Sequence, residues 1–145
     1  MSPVETTCVC TTLRMTTRSV SRLYDRQLSR AGLRATDFAI LSVLAREGPI
    51  PVSGLAARLA MDRTTCTREV TPLVSEGLVE ITTGSDRRHR LVRLTSLGRR
   101  KHSGAREAWE QAQQAVMGEL GGADIHDLLM GLRRLLASSE RLNSA

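Results

Sequence analysis

The chain has 145 residues, 41% hydrophobic and 25% charged, which suits one domain around one hydrophobic core. No apolar run approaches the ~18 residues of a membrane span, and Met1 to Thr7 lack the basic-then-apolar pattern of a secretory signal, so the expected compartment is the cytoplasm. The formal net charge is +6, a balance that favours polyanionic partners through phosphate neutralisation and counterion release.

Lys101 is the only lysine, so the positive charge is almost all guanidinium, the group that binds phosphate and guanine edges bidentately. Tyr24, Phe38 and Trp109 are the only aromatics. Single-strand binders and RRM-type RNA binders need aromatic platforms for stacking bases, so duplex DNA is the better match. Cys8, Cys10 and Cys66 are too few, and odd in number, for a disulfide framework.

Residues 11–31 read as a helix, with Leu13, Val20, Tyr24, Leu28 and Ala31 on one face. Arg14, Arg18, Arg22, Arg26 and Arg30, four apart, form a solvated line, and Gly32 stops the helix. Thr36 is placed to cap a second helix, with Asp37 in its first turn and Phe38, Ile40, Leu41, Val43 and Leu44 facing inward. Gly48-Pro49 ends it, and Ile50-Pro51-Val52 suits a short extended segment. Ser53 is expected to cap a third helix that buries Leu55, Ala56 and Leu59.

After a turn at 60–63, a fourth helix is expected from about Thr64 to Glu76, ended by Gly77. Its wheel gathers Cys66, Val70 and Leu73 on one side. Thr64, Thr67, Arg68 and Thr71 lie opposite, with Arg63 at the edge. Hydroxyls and arginines without bulky apolar groups are what a helix in the major groove needs. Taken alone, the pattern also fits an ordinary surface helix. Pro72 removes one backbone bond and should kink the helix or shift its ladder.

Residues 78–83 and 91–95 alternate in strand fashion around Gly84-Ser85-Asp86, which is turn chemistry. The loop Asp86-Arg87-Arg88-His89-Arg90 reads as the basic tip of a wing, since a narrow minor groove attracts inserted arginine. It can equally be a solvated turn. Ser96 is expected to cap a fifth helix with Ala105, Trp109, Ala112 and Val116 on one face. Gly121-Gly122 breaks it, and a sixth helix starts near Asp124 with a stripe of Ile125, Leu128, Leu129, Leu132, Leu135 and Leu136. That stripe exceeds what a surface helix beside a small domain requires, and points to burial against a second copy.

The order helix, helix, short strand, helix, helix, hairpin, helix, helix contains a winged helix-turn-helix. The segment MDRTTCTREVTPLVSEGLVE at 61–80 is similar to the recognition-helix region of MarR-type regulators. GSDRRHRLVRLTSLG at 84–98 resembles their wing: Asp86, Arg88, then Leu94, Thr95 and Gly98. The resemblance spans roughly residues 10–140 in layout and about 53–98 in motif.

The resemblance implies a mainly α fold with a small β-hairpin wing, the winged helix-turn-helix being flanked by N- and C-terminal dimerisation helices. One domain then covers 1–145, with about 34–98 as the DNA-binding lobe and about 8–33 and 99–145 as dimerisation helices. The implied function is transcriptional regulation by a homodimer on a pseudo-palindromic duplex operator, usually by repression released by an effector. Arg63, Thr64, Thr65, Thr67 and Arg68 become major-groove candidates. Arg88, oriented by Asp86, becomes the minor-groove candidate, and Arg87 and Arg90 phosphate contacts. Cys66 takes an apolar packing position.

An anionic or aromatic effector would be lined by Arg14, Arg18, Phe38 and Trp109, by family layout. The alternative is oxidant sensing at Cys10, whose thiolate a helix start would favour, with Cys8 as local resolving thiol. Against it, the second helix lacks the tyrosines of the peroxide-sensing branch, and no cysteine follows Cys66. No cofactor and no metal site is expected, because His89, His102 and His126 are scattered. No enzyme motif appears, and a protein-binding winged-helix module remains the other reading.

Overall fold

A computed structural model of the chain describes residues 8–83 and 90–145. The elements in order are α1 (Val9–Leu28), a 3-10 turn (Ser29–Ala31), α2 (Ala35–Glu47), β1 (Ile50–Pro51), α3 (Val52–Arg58), α4 (Arg63–Ser75), β2 (Val79–Thr83), β3 (Arg90–Leu94), α5 (Ser96–Leu120) and α6 (Gly122–Ser144). They form two units, Met1–Trp109 and Glu110–Ala145. No described helix is long and apolar enough to cross a membrane.

In the first unit the expected short extended segment and hairpin form one three-stranded antiparallel sheet in the order β1-β3-β2. Ile50 pairs with Val92, and Val79 to Thr83 pair with Leu94 to Arg90. On β2 the alternation is not a guide to burial: Leu78 and Val79 are both buried and Ile81 is exposed. The core joins Leu28, Phe38, Ile40, Leu41, Leu44, Leu55, Cys66, Val70, Leu73, Leu78 and Val92. At roughly 1.5–3 kcal/mol for each fully buried large apolar side chain, this cluster is the main stabilising term of the unit.

The helix starts differ from the expected ones. α2 begins one residue before Thr36, with Arg34 at the N-cap. The carboxylate of Asp37 accepts the Arg34 N–H at 2.8 Å, and Asp25 of α1 accepts the Ala35 N–H at 2.7 Å. Asp37 and Asp25 thus accept the first N–H groups at this start, and Thr36 lies inside the helix instead of capping it. α3 starts at Val52 after Pro51, so Ser53 lies inside the helix and does not cap it. Ser96 is likewise already helical. Thr95 Oγ1 instead accepts the Gly98 N–H at 3.0 Å, and donates to the Gly77 carbonyl at 2.6 Å.

That arrangement accounts for the Leu94-Thr95-x-x-Gly98 spacing. Thr95 staples the end of α4 to the start of α5, and a methyl group built on Gly98 would overlap the carbonyl oxygen of Leu78. Gly32 and Gly77 adopt positive φ of 71° and 74° where the first and fourth helices stop, a conformation that glycine enters without Cβ strain.

In the second unit, α5 runs to Leu120 and Gly121, at φ 81°, starts α6 two residues before Asp124. Ile125 is buried. The rest of the expected stripe is different: Leu128, Leu129, Leu132 and Leu136 are 38–50% exposed.

Candidate nucleic-acid interface

α4 is held from its first residue. Asp62 occupies the N-cap, and its carboxylate accepts from the Thr65 N–H at 2.7 Å and the Thr65 hydroxyl at 3.1 Å. Those hydrogen bonds from Thr65 hold the Asp62 carboxyl below the usual carboxylate range. Cys66, Val70 and Leu73 are fully buried beneath the helix. The Cys66 thiol lies 3.9 Å from the Val52 carbonyl, and burial pushes its pKa up, so it packs as a small apolar group.

The opposite face carries exposed Arg63, Thr64, Thr67, Arg68 and Thr71. Neither Arg63 nor Arg68 is held in an ion pair among the described residues. Thr67 Oγ1 donates to the Arg63 carbonyl at 2.9 Å and Thr71 Oγ1 to the Thr67 carbonyl at 2.8 Å. Their protons are committed, which leaves lone pairs that can accept from base amino groups, and methyls that can meet a thymine methyl. Thr65 is half-buried with its hydroxyl on Asp62. α4 runs on through Pro72, and Glu76 N–H reaches the Pro72 carbonyl at 3.0 Å. Pro72 is exposed, so water can reach the Arg68 carbonyl that proline leaves without an i+4 donor.

Of the wing candidates, Arg90 is exposed at the start of β3. Asp86, Arg87 and Arg88 lie outside the described residues. At the base of the wing Arg93 pairs with Glu80 across the ladder.

A cleft of about 320 Å³ opens beside α2, lined by Tyr24, Leu28, Phe38, Ser42, Arg46 and Trp109 among others. Phe38 and Trp109 are therefore brought together, with ring centroids 5.8 Å apart. Arg14 and Arg18 stand exposed on α1 and are not among the lining residues. The cation at the cleft is Arg46, which the sequence reading missed. It lies eight residues after Phe38 and four after Ser42, a helical spacing that could have revealed it.

His102 was also missed. It stacks on Phe38 at 4.9 Å, and its Nε2 lies 2.9 Å from Ser42 Oγ. Ser42 Oγ gives its one proton to the Phe38 carbonyl at 2.7 Å, so Nε2–H is the donor to Ser42. Burial, with Arg106 and Arg99 nearby, lowers the His102 pKa and favours the neutral ring. The signal was the spacing of His102, Ala105 and Trp109 on one face of α5.

At the other end, Cys8 forms the N-cap of α1 and its Sγ accepts the Thr11 N–H at 3.4 Å. Hydrogen bonding from Thr11, through its side chain first and then its backbone N–H, lowers the Cys8 thiol pKa. The sequence reading assigned the helix-start effect to Cys10. Here Cys8 holds the capping position, and Cys10 is exposed in the first turn.

Comparison with known proteins agrees with this geometry. A family model described as MarR family matches residues 31–89. The fold is similar to that of the M. tuberculosis transcriptional regulator MosR, solved in complex with DNA. The two share 31% identity and a TM-score of 0.80 over 91% of this chain and 98% of that one. A probable transcriptional regulator from Pseudomonas aeruginosa is 26% identical, with a TM-score of 0.80 over 89% of this chain and 97% of its own. A mutant E. coli MarR complexed with operator DNA is 25% identical, with a TM-score of 0.78 over 86% and 90%. None of the curated proteins compared with the chain matches it. At 31% identity across nearly the whole length of MosR, and with the winged helix-turn-helix in place, the chain belongs to the MarR family of transcriptional regulators.

Proposed function

We propose that the chain acts as a homodimer on duplex DNA, with α4 of each protomer in successive major grooves of a pseudo-palindromic operator, and that it represses transcription in the cytoplasm. Residues 34–98 form the DNA-binding lobe, and 8–33 and 99–145 the helices that pair the protomers. The carrying observation is α4 itself: buried Cys66, Val70 and Leu73 fix one face, and the other offers exposed Arg63 and Arg68 among threonines. The solved DNA complexes of MosR and of an E. coli MarR support the reading.

Arg63, Thr64, Thr65, Thr67 and Arg68 are assigned to the major groove, with Thr65 acting through Asp62 at the helix start. Arg88 is assigned to the minor groove, oriented by Asp86. Arg87 and Arg90 are assigned to phosphates. An electrophoretic shift with duplex from the protein's own promoter region tests this. Arg68→Ala and Arg88→Ala should each weaken binding by about tenfold or more without unfolding the protein. Unchanged affinity in both variants would remove the assignment.

The effector site is the cleft beside Phe38 and Trp109. Its flat aromatic walls and Arg46 suit a small aromatic anion, which replaces the earlier placement at Arg14 and Arg18. A second reading, release by oxidants, is favoured by one observation: the exposed Cys8 thiol caps α1, is acidified by hydrogen bonds from Thr11, and stands two residues from exposed Cys10. If peroxide releases DNA from the wild type and from Cys8→Ser and Cys10→Ser alike, the thiol reading fails.

A further inference from the structure

α4 carries one acidic residue among its basic and neutral neighbours. Glu69 follows Arg68 directly, and a carboxylate there would repel a phosphate backbone unless it were neutralised and held. It is held. Arg34 Nη2 donates to Glu69 Oε2 at 2.8 Å and also to Asp37 Oδ1 at 2.9 Å. Arg34 Nε donates to Asp37 Oδ2 at 3.2 Å, and the same oxygen accepts the Arg34 backbone N–H at 2.8 Å. Asp37 is buried and fixed in the first turn of α2, so the guanidinium cannot swing freely.

The contact spans 35 residues of sequence and joins two separate helices. Arg34, Asp37, Arg68, Glu69 and Pro72 line one cleft of about 340 Å³, which places the bridge beside Arg68. The planar fork matters here, because one guanidinium serves two carboxylates in fixed directions.

We propose that Arg34 is a positioning residue for DNA recognition: oriented by Asp37 at the start of α2 and bonded to Glu69 midway along α4, it sets the rotation of α4 about its own axis and so the direction of Arg68. The inference rests on the DNA-binding reading above. It adds a residue outside α4 and the wing that governs sequence discrimination without touching a base. The side chain of Arg34 is 54% exposed, and exposed ion pairs add little to stability, about 0–1 kcal/mol. Its loss should therefore leave the fold standing and loosen one helix.

The test uses the full chain and two duplexes: one selected by the wild type from a random pool, and a scrambled duplex of equal length. Arg34→Met and Glu69→Met should each weaken binding to the selected duplex by about threefold to fivefold. Binding of Arg34→Met to the scrambled duplex should change by less than about twofold, and its salt slope should match the wild type, whereas loss of a phosphate contact would lower that slope by about 1. Glu69→Met separates geometry from charge most sharply. It removes a negative charge from a DNA-facing helix, so charge alone would tighten binding to both duplexes, and such tightening would overturn the proposal. The double variant should bind no more weakly than the weaker single one, because both break the same bridge. A large fall in melting temperature that tracks the affinity loss would reduce Arg34 to a structural role and also overturn it. If the wild type selects no duplex at all, the DNA-binding reading itself fails and takes this inference with it. If the wild type binds and both variants bind like it, only the inference fails.

Discussion

α4 and α6 are both amphipathic helices, yet the chain treats them in opposite ways. α4 turns its apolar side chains inward, where Cys66, Val70 and Leu73 are fully buried, and turns arginine and threonine outward. α6 buries Ile125 and leaves Leu128, Leu129, Leu132 and Leu136 substantially exposed. A helix whose apolar face is satisfied within its own chain is free to use its other face for recognition. A helix that leaves four leucines 38–50% exposed forgoes, for each one that a partner could bury, about half of the roughly 1.5–3 kcal/mol that full burial yields. The contrast separates a self-contained reading head from a surface that asks for a second copy.

The self-contained side breaks most readily at Gly98. The methyl of Gly98→Ala would overlap the Leu78 carbonyl, so the junction between β2 and α5 must open. A destabilisation of about 3 kcal/mol or more is expected. Chemical denaturation should show it as a lower midpoint with little change in slope.

The α6 side breaks differently. Leu132→Asp places a charge in the exposed apolar stripe without touching the core of the first unit. Sedimentation should then find monomers of unchanged helix content, and dimers for the wild type. A variant that still dimerises with wild-type affinity would show that this stripe is not the interface.

A smaller effect is expected at the head of α4. Asp62→Ala removes the cap that accepts two bonds from Thr65 and should cost about 1 kcal/mol in thermal unfolding. DNA affinity should fall further than that loss alone would require, since Arg63 and Thr64 lie in the frayed turn.

The smallest effect is a pH dependence. His102 is held neutral by burial and two nearby arginines, so its folded pKa lies below the ordinary value of 6.5. On acidification the unfolded chain takes up that proton first. The stability contributed by neutral His102 is therefore present above pH 6.5, is lost as pH falls below it, and levels off beneath the folded pKa. A His102→Gln variant should show a flatter stability curve just below pH 6.5, measured as a difference from wild type.

The same contrast explains what could be read from the chain. Helix faces were legible because apolar spacing has a period, and Cys66, Val70 and Leu73 were found in this way. The order of elements followed from Gly32, Gly48-Pro49, Gly77 and Gly121-Gly122, which stop helices for local reasons. Helix starts were not legible. Asp25 on α1 and Asp37 within α2 supply the acceptors at the start of α2, and Thr95 replaces Ser96 at α5. Asp25 arrives from another helix, which adjacent sequence does not encode, and Asp37 and Thr95 are local acceptors a residue or so from the expected caps, a choice that periodicity does not decide.

The same holds for the site. Arg63, Thr64, Thr67 and Arg68 share one wheel position class and were evident together. Arg34 was not, because it acts across a contact between elements, whereas Arg46 was open to a helical-spacing reading from Phe38 and Ser42 on the same helix. Arg14 and Arg18 entered through the family layout alone, and stand exposed on α1 outside the lining of the cleft.

The central claim is that two copies of this chain present α4 to one duplex. Sedimentation of the full chain with a labelled duplex, selected by the protein from a random pool, tests it most directly when read at several salt concentrations. The account predicts two protomers per duplex and an affinity whose logarithm falls linearly with the logarithm of salt. One protomer per duplex, or no binding at low salt, would contradict it.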